Sequence, residues 1–198
     1  MTADTPSADR YAIVALASSA GGIRALVEII SGFDALLVPV VMVQHLDPRH
    51  RTVIAEILDR RTALRVKLAE NDEVAVPGTV YIAPPDRHLL VGPGGVLTLT
   101  STELVHFLRP SADLLFESVA GAYGPQAIAC VLTGTGSDGA MGVEAVKSRG
   151  GTVIAQDPET AEFNGMPTAA VGTGAVDYVL PLDEIAAVIR GLVETKRR

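Results

Sequence analysis

Three glycines in the second half of the chain have the spacing of a phosphate-binding loop. Gly134, Gly136 and Gly139 match the pattern G-x-G-x-x-G, between an apolar run and a helical pattern. Asp157 stands about 20 residues further on, where dinucleotide-binding proteins place an acidic residue against the ribose. Asp138 argues against a dinucleotide, because its carboxylate would compete with a pyrophosphate for the positive end of the helix dipole. The loop therefore predicts either a dinucleotide site or a position that requires a carboxylate.

Two adjacent serines, in the segment LASSAGG, lie on a short turn between an apolar run and a helical pattern. A serine on such a strand-to-helix turn is exposed, and the backbone N–H groups at the helix start can stabilise an oxyanion. Ser18 and Ser19 are therefore candidate nucleophiles. The alternative interpretation is that a serine caps the helix and that the two following glycines only shape the loop.

A histidine directly follows the second apolar run. There the imidazole of His45 could meet a serine at the neighbouring strand end and act as a general base. The alternatives are a loop histidine bonded to the backbone and a metal site with Asp47 and His50. The metal site is disfavoured, because a proline interrupts the segment and no helical i, i+4 pair of ligands exists. His88 and His106 fall away from the predicted strand ends, so His45 is the candidate base.

The aspartate of the glycine-rich loop, Asp138, is the third candidate for a catalytic site. A carboxylate at this position could fix the tautomer of a histidine and stabilise its cation, as in a Ser-His-Asp triad. The alternative is that Asp138 is an N-cap for the helix that carries Val143 and Val146. A serine, His45 and Asp138 all follow predicted strands, and the carboxyl ends of parallel strands share one edge of a sheet. This placement allows a catalytic triad.

The composition predicts one soluble globular domain. The chain has 198 residues, of which 48% are hydrophobic, and this is enough for a full core. A formal charge of −7 and a pI near 5.0 argue against binding of nucleic acid. The apolar runs are too short to insert in a membrane, and the N-terminus lacks a secretion signal. Cys130 is the single cysteine, so no internal disulfide can form and a cytoplasmic location is expected.

Alternating strands and helices predict a doubly wound α/β domain with a mainly parallel sheet. Continuous apolar runs at 11–17 and 38–43 suit strands buried on both faces, and AIACVL, GTVIAQ and DYVLP continue the series. Apolar residues also recur on one face of two predicted helices. They are Ile23, Leu26, Val27 and Ile30 in the first helix, and Leu182, Ile185, Ile189 and Leu192 in the last.

The middle of the chain departs from this alternation. Residues 78–100 contain short β-rich pieces and a Gly-Pro-Gly-Gly turn, which predict an antiparallel hairpin insertion. No linker divides the chain, so we expect a flexible tail over residues 1–10 and a single domain over 11–196.

Six segments with a specific spacing extend over most of the chain. They are LASSAGG, VQHL, YIAPPDRHLL, LRPSADLLFESVA, VLTGTGSDGAMG and FNGMPTAA. Together they resemble the catalytic domain of the CheB chemotaxis protein-glutamate methylesterases, from about residue 11 to 192. The resemblance implies that Ser19 is the nucleophile, His45 the base and Asp138 the third member of a triad.

The resemblance also implies a substrate. It would be the methyl ester of glutamate side chains in the cytoplasmic helices of methylated chemoreceptors, hydrolysed through an acyl-enzyme to carboxylate and methanol. Deamidation of certain receptor glutamines is the implied second activity, and neither a metal nor a cofactor is needed. The amides of Ala20 and Thr135 are candidates for the oxyanion site, and Arg109 either positions the substrate or forms a surface ion pair.

The chain departs from the family pattern at some positions. Ala17 and Ser18 stand where glycine and alanine are usual, Thr135 where methionine is usual, and Asn164 where an aromatic residue is common. The family typically has an N-terminal receiver domain that covers the crevice until it is phosphorylated, and ten residues cannot supply one. The chain is therefore expected to be either a free-standing esterase or a piece of a longer protein. We therefore expect turnover without a phosphodonor, the competing expectation being that a separate regulatory protein or self-association shields the site.

Two other functions remain open from the sequence. A dinucleotide-binding oxidoreductase would use the glycine-rich loop and Asp157, and would show no serine reactivity. A catalytically silent relative would keep the fold and bind receptor or signalling helices without turnover. Neither alternative predicts reaction with a reagent that labels an activated serine, whereas the hydrolase does.

Overall fold

The computed structural model describes residues 11–46 and 52–195. The predicted tail at 1–10, Asp47 and His50, and the last residue of the predicted domain lie outside the described residues. The extent of a single domain over 11–196 therefore stays a prediction.

The described residues form a seven-stranded parallel sheet and a separate two-stranded antiparallel hairpin. The strands are β1 (Ile13–Ser18), β2 (Val40–Gln44), β3 (Arg65–Leu68), β4 (Thr79–Ile82), β5 (His88–Val91), β6 (Leu97–Thr100), β7 (Ala127–Val131), β8 (Thr152–Gln156) and β9 (Tyr178–Leu180). The order in the large sheet is β3-β4-β2-β1-β7-β8-β9, with parallel pairing throughout. The predicted doubly wound α/β fold with a hairpin insertion is confirmed.

Helices cover both faces of the large sheet. They are α1 (Gly22–Ser31), α2 (Ile54–Asp59), α3 (Ala112–Tyr123), α4 (Ala140–Ser148), α5 (Gly165–Gly172) and α6 (Leu182–Glu194). Side chains of α1, α2 and α6 share one core cluster, whereas those of α3, α4, α5 and the hairpin share the other. The central strands are apolar on both faces because alternate residues enter opposite clusters. No helix among the described residues is long and apolar enough to cross a bilayer.

Three details of the sequence-based prediction are wrong. Within 78–100, β4 pairs with β2 and β3 in the large sheet, so the hairpin begins only at His88. Ile23 is 39% exposed, because the buried face of α1 is formed by Ala25, Leu26 and the two isoleucines near its end. The segment DYVLP forms an edge strand with exposed side chains rather than a buried one.

The strand order opens a crevice at one edge of the sheet. From β1 the chain moves to β2 on one side, whereas β7 pairs with the other side of β1. Helices that leave neighbouring strands in opposite directions leave a gap beyond the carboxyl ends of those strands. The turn after β1, the segment after β2 and the loop after β7 therefore meet at this point.

Candidate active site

The turn between β1 and α1 exposes one serine and buries the other. Ser18 is fully buried, whereas Ser19 is half-buried and lines the open crevice at the edge of the sheet. Neither side chain caps α1, since its N-cap is Gly21, whose φ of 74° lies in the left-handed region that glycine tolerates. The interpretation of a serine as the helix cap is therefore wrong, and Ser19 is the serine that a substrate can reach.

Gln44, at the end of β2, joins the serine turn to the segment that carries His45. Its Oε1 accepts a hydrogen bond of 2.6 Å from Ser18 Oγ. Its Nε2 donates to the carbonyl oxygens of Ser19, at 2.8 Å, and of His45, at 2.9 Å. A Cβ on Gly22 would overlap Gln44 Oε1, so the start of α1 requires glycine. The two strand ends are thereby held in one fixed arrangement.

The imidazole of His45 is bonded to Asp138. Nε2 of His45 lies 2.8 Å from Oδ2 of Asp138, and 12% of the histidine side chain and 1% of the aspartate side chain are exposed. When Nε2 donates to the carboxylate, Nδ1 is the ring nitrogen left to take a proton. His45 and Ser19 line the same crevice, although no hydrogen bond joins their side chains within the described residues. Within the described residues, the partner of the His45 side chain is a carboxylate and not a backbone group.

Asp138 is anchored by the N-terminus of α3, not by the helix that follows it. Its carboxylate accepts hydrogen bonds from the amides of Ala112, at 2.7 Å, and Asp113, at 3.0 Å. The hydroxyl of Ser111 donates a third bond of 3.0 Å. The interpretation of Asp138 as the N-cap of α4 is therefore wrong, because that helix has Gly139 at its N-cap and no side-chain cap. These donors and the dipole of α3 favour a charged carboxylate.

The pKa of Asp138 lies below its usual range in spite of its burial. Burial alone would raise the pKa of this carboxyl, but the hydrogen bonds from His45 and from the amides of Ala112 and Asp113 outweigh that effect. Asp138 is therefore ionised at neutral pH, which is the form that can stabilise an imidazolium.

Asp113 makes the reciprocal contact, from the first turn of α3 to the N-terminus of α4. Its Oδ1 accepts hydrogen bonds from the amides of Gly139, at 2.9 Å, and Gly142, at 2.8 Å. Burial raises the pKa of Asp113 to about 6, although the Gly142 amide opposes the rise, and the charge of Asp138 adds to it. The first amides of a helix have no partner within that helix. Here Asp138 accepts those of α3 and Asp113 accepts those of α4.

The dinucleotide interpretation has no physical basis in this geometry. The amides at the N-terminus of α4, which would have to hold a pyrophosphate, are bonded to Asp113. Asp157, the residue expected to bind a ribose, accepts a bond of 2.9 Å from the amide of Glu159 within its own turn. The described residues also include no group of three or more His, Cys, Asp or Glu side chains arranged to hold a metal ion.

Thr133, just after β7, is a site residue that the sequence motifs did not single out. Its carbonyl oxygen accepts a bond of 3.0 Å from the amide of Ser19, and its hydroxyl donates to the Ala20 carbonyl at 3.0 Å. The same hydroxyl accepts a bond of 2.9 Å from the amide of Phe163. Thr133 thus joins the serine turn to the segment that enters α5. The only signal in the sequence is a polar residue directly after a buried strand.

His88, which the sequence places away from the predicted strand ends, is connected to the site through Ser111. The side chain is fully buried, and its Nδ1 accepts a bond of 3.1 Å from the amide of Ser111. Its Nε2 donates to the carbonyl of Glu103 at 3.0 Å. His88 therefore orients the residue whose hydroxyl binds Asp138, because the hairpin packs against the start of α3.

The three remaining candidates from the sequence lie around the crevice in different roles. Ala20 accepts the Thr133 hydroxyl through its carbonyl, and Thr135 is exposed. Arg109 is bonded to Asp86, with its Nη2 2.6 Å from Oδ1, and to two carbonyl oxygens of the preceding loop. Its guanidinium therefore holds that loop in place, and the ion pair that the sequence left as an alternative is present. Arg109 also lines an apolar groove beside His45.

Gly134 leaves room for Ser19. A Cβ on Gly134 would overlap Sδ of Met166 and would lie 2.9 Å from Cβ of Ser19. The methionine can move, but the serine is held at its amide by Thr133 and at its carbonyl by Gln44. The first glycine of TGTG is therefore a packing requirement of the serine turn.

We expect Gly134→Ala to reduce ester hydrolysis by about 10²-fold, because a displacement of roughly 1 Å in a reacting group has that effect. Overpacking should also lower the free energy of unfolding by about 1–3 kcal/mol. Steady-state rates and urea unfolding measure the two effects. Gly172→Ala is the matched control, since a Cβ there meets nothing within 4 Å. Full activity in Gly134→Ala would contradict the close approach to Ser19.

Comparisons with known proteins agree with one another. A family model described as CheB methylesterase matches residues 14–189. The protein-glutamate methylesterase FrzG of Myxococcus xanthus is 41% identical over 185 residues, which cover 93% of this chain and 55% of FrzG. A protein-glutamate methylesterase/protein-glutamine glutaminase of Pyrococcus abyssi is 39% identical over 97% of this chain and 53% of its own length. The chain thus spans about half the length of these two curated relatives.

The solved structures include a similar fold. The crystal structure of the Thermotoga maritima CheB methylesterase catalytic domain matches with a TM-score of 0.86 and 39% identity, over 92% of this chain and 99% of that domain. A putative protein-glutamate methylesterase/protein-glutamine glutaminase of Leptospira interrogans is 39% identical and is covered over 92% of its length. The similarity therefore extends over nearly the whole of a catalytic domain.

Proposed function

Since the chain belongs to the CheB methylesterase family, we propose that it hydrolyses the methyl esters of glutamate side chains in proteins. The proposed substrates are the methylated cytoplasmic helices of chemoreceptors, which also makes the cytoplasm the proposed site of action. One observation carries the proposal from fold to chemistry: His45 is bonded to the buried carboxylate of Asp138 and lines the crevice that contains Ser19.

In the proposed reaction Ser19 is the nucleophile and His45 the general base. Ser19 Oγ attacks the ester carbonyl carbon while His45 takes the hydroxyl proton. The C–OCH₃ bond then breaks, and His45 returns the proton to the leaving methoxide, which departs as methanol. A water molecule attacks the acyl-enzyme with His45 again acting as base, and the products are the glutamate carboxylate and free Ser19.

Asp138 supports these steps without itself taking a proton. Because it accepts the Nε2–H of His45, it holds the tautomer in which Nδ1 can accept the Ser19 proton. Its negative charge stabilises the imidazolium that forms. The lowered pKa of Asp138 keeps that charge in place at neutral pH.

The backbone amides of Ala20 and Thr135 are the proposed donors to the oxyanion. Neither N–H donates to another described residue, so both can bind the negative oxygen of the tetrahedral intermediate. A corresponding tetrahedral intermediate forms when a glutamine side-chain amide is attacked. It carries an NH₂ group in place of the methoxy group, and ammonia leaves in place of methanol. Deamidation of receptor glutamines is therefore a second reaction of the same proposed site.

A fluorophosphonate probe followed by peptide mapping tests the proposal. An activated serine forms a covalent phosphonyl ester with this reagent, and we expect the label on the peptide that contains Ser19. Methanol release from a methylated receptor peptide should be lost in the labelled protein. No labelling of a folded protein would favour the silent interaction module, and labelling on another peptide would contradict Ser19 as the nucleophile. Saturable binding of NAD or NADP, measured by calorimetry, would favour the oxidoreductase.

A further inference from the structure

We propose that Asp113 is a positioning residue that holds Asp138 in place and adds a second carboxylate beside the His45–Asp138 pair. The inference rests on the proposed function of the triad, although one of its tests needs no turnover. It starts from the arrangement of two buried carboxylates at the N-termini of α3 and α4. Asp113 and Asp138 are each 3% exposed, and each accepts backbone amides from the segment that carries the other.

The reciprocal bonds make the position of Asp138 depend on Asp113. Asp138 lies in the loop before α4, and the start of that helix is tied to Asp113 through the amides of Gly139 and Gly142. Gly142 packs so closely on α3 that a Cβ there would lie 2.6 Å from Cβ of Phe116. The loop that carries Asp138 is therefore fixed at both ends, by its own carboxylate and by that of Asp113.

The contact between the two carboxyl groups is also electrostatic. Asp138 affects the pKa of Asp113 through its charge and through a side-chain hydrogen bond. When Asp113 is ionised, a second negative charge lies close to the Asp138 carboxylate. When Asp113 is protonated it can donate a hydrogen bond to Asp138, which lowers the charge that His45 experiences.

Other charged side chains also face this pair among the described residues: Arg24 and Glu162 line the crevice with His45, and Asp86 and Arg109 line the groove beside it. His88, from the hairpin, accepts the Ser111 amide at Nδ1, which an imidazolium cannot do. Glu117 on α3 and Glu144 and Lys147 on α4 are exposed. Variants that differ only at residue 113 therefore isolate the contribution of Asp113, because these other charged groups are unchanged.

The test compares Asp113→Asn with Asp113→Ala. Asparagine keeps an oxygen for the amides of Gly139 and Gly142 and can donate to Asp138 at every pH, so placement is preserved and the second charge is removed. Alanine removes both. We expect Asp113→Ala to lower kcat by about 10²-fold with little change in KM, because the general base is misplaced. Asp113→Asn should restore most of kcat.

A readout that a purely structural role would leave unchanged is the titration of His45. We expect its midpoint, followed by the NMR shifts of the imidazole, to fall by about one pH unit in Asp113→Asn, because a nearby negative charge is lost. The acidic limb of kcat/KM should move in the same direction. The chain contains four histidines, so His45→Gln assigns the signal. Asp177→Asn is the control. Asp177 also accepts a backbone amide, that of Val153 at 2.9 Å, but it pairs with Lys147 in the last turn of α4, at the opposite end from Asp113.

An unchanged His45 midpoint in Asp113→Asn would overturn the inference, as would full kcat in Asp113→Ala. The NMR measurement separates this result from a failure of the proposed function. If the wild-type protein lacks esterase activity but the His45 midpoint shifts as expected, the proposed function fails and the inference about Asp113 stands. If activity is present and the midpoint does not move, the proposed function stands and the inference about Asp113 fails.

Discussion

Replacing Ser19 with alanine is expected to abolish both methyl-ester hydrolysis and fluorophosphonate labelling. Without Oγ no acyl-enzyme can form, and removal of one triad member leaves only the contribution of the oxyanion site and substrate binding. Ser19 lines the crevice, and no side-chain hydrogen bond within the described residues holds its hydroxyl, so its loss should barely change the free energy of unfolding. Methanol release and mass spectrometry of the labelled protein measure the two effects.

Ser18→Ala is the matched control for this variant. Ser18 is fully buried and donates to Gln44 at 2.6 Å, so its side chain cannot reach a substrate. We expect Ser18→Ala to keep the labelling site and to lose about 1–3 kcal/mol of stability, because Gln44 Oε1 is left without its donor. If Ser18→Ala loses labelling while Ser19→Ala retains it, the nucleophile is Ser18 and not Ser19.

Asp138→Asn is expected to lower turnover by about 10⁴-fold, the effect of the same neutral replacement in a serine protease triad. The hydrogen bonds around Asp138 explain why asparagine cannot substitute. Oδ1 faces the amide of Asp113 and Oδ2 faces that of Ala112, so an NH₂ group at either position meets a backbone donor. If the NH₂ group faces His45, the imidazole must also present Nε2 as an acceptor and its tautomer is wrong for catalysis.

The same variant should also be less stable, because one backbone amide of α3 loses its acceptor at a cost of about 1–3 kcal/mol. Activity must therefore be measured per folded protein, for example at 15 °C after circular dichroism has established the folded fraction. Asp157→Asn is the control, since the carboxylate of Asp157 bonds only within its own turn among the described contacts. It should keep full activity. An Asp138→Asn protein with nearly normal turnover would exclude the triad.

The fold class follows from local patterns that single sequences contain. Runs such as 38–43 are apolar at every position because strands in the middle of a covered parallel sheet are buried on both faces. Edge strands lack this pattern. Thus β3, with the sequence RVKL, was not predicted, and β9 was predicted to be buried although two of its three residues are exposed.

The glycine-rich loop shows how a motif can be present for another reason. Its spacing matches a dinucleotide fingerprint, yet the conformation of Gly136 and Gly139, with φ of 81° and 99°, serves a turn whose amides bind Asp113. Gly134 is small because Ser19 lies against it. The pattern of glycines indicates that another group packs closely against the backbone. It does not specify whether that group is a nucleotide or a side chain of the protein.

The sequence by itself determined the alternation of strands and helices and, through motifs that resemble a known family, predicted Ser19, His45 and Asp138 as the candidate triad. Only the tertiary structure decided that Ser19 and not Ser18 faces the crevice, and that Asp138 binds the N-terminus of α3. It also decided that Gln44, Thr133, His88 and Asp113 support the site. The physical reason is that burial patterns repeat within one element and can be seen locally, whereas these hydrogen bonds join loops 23 or more residues apart, whose meeting depends on the order of the strands.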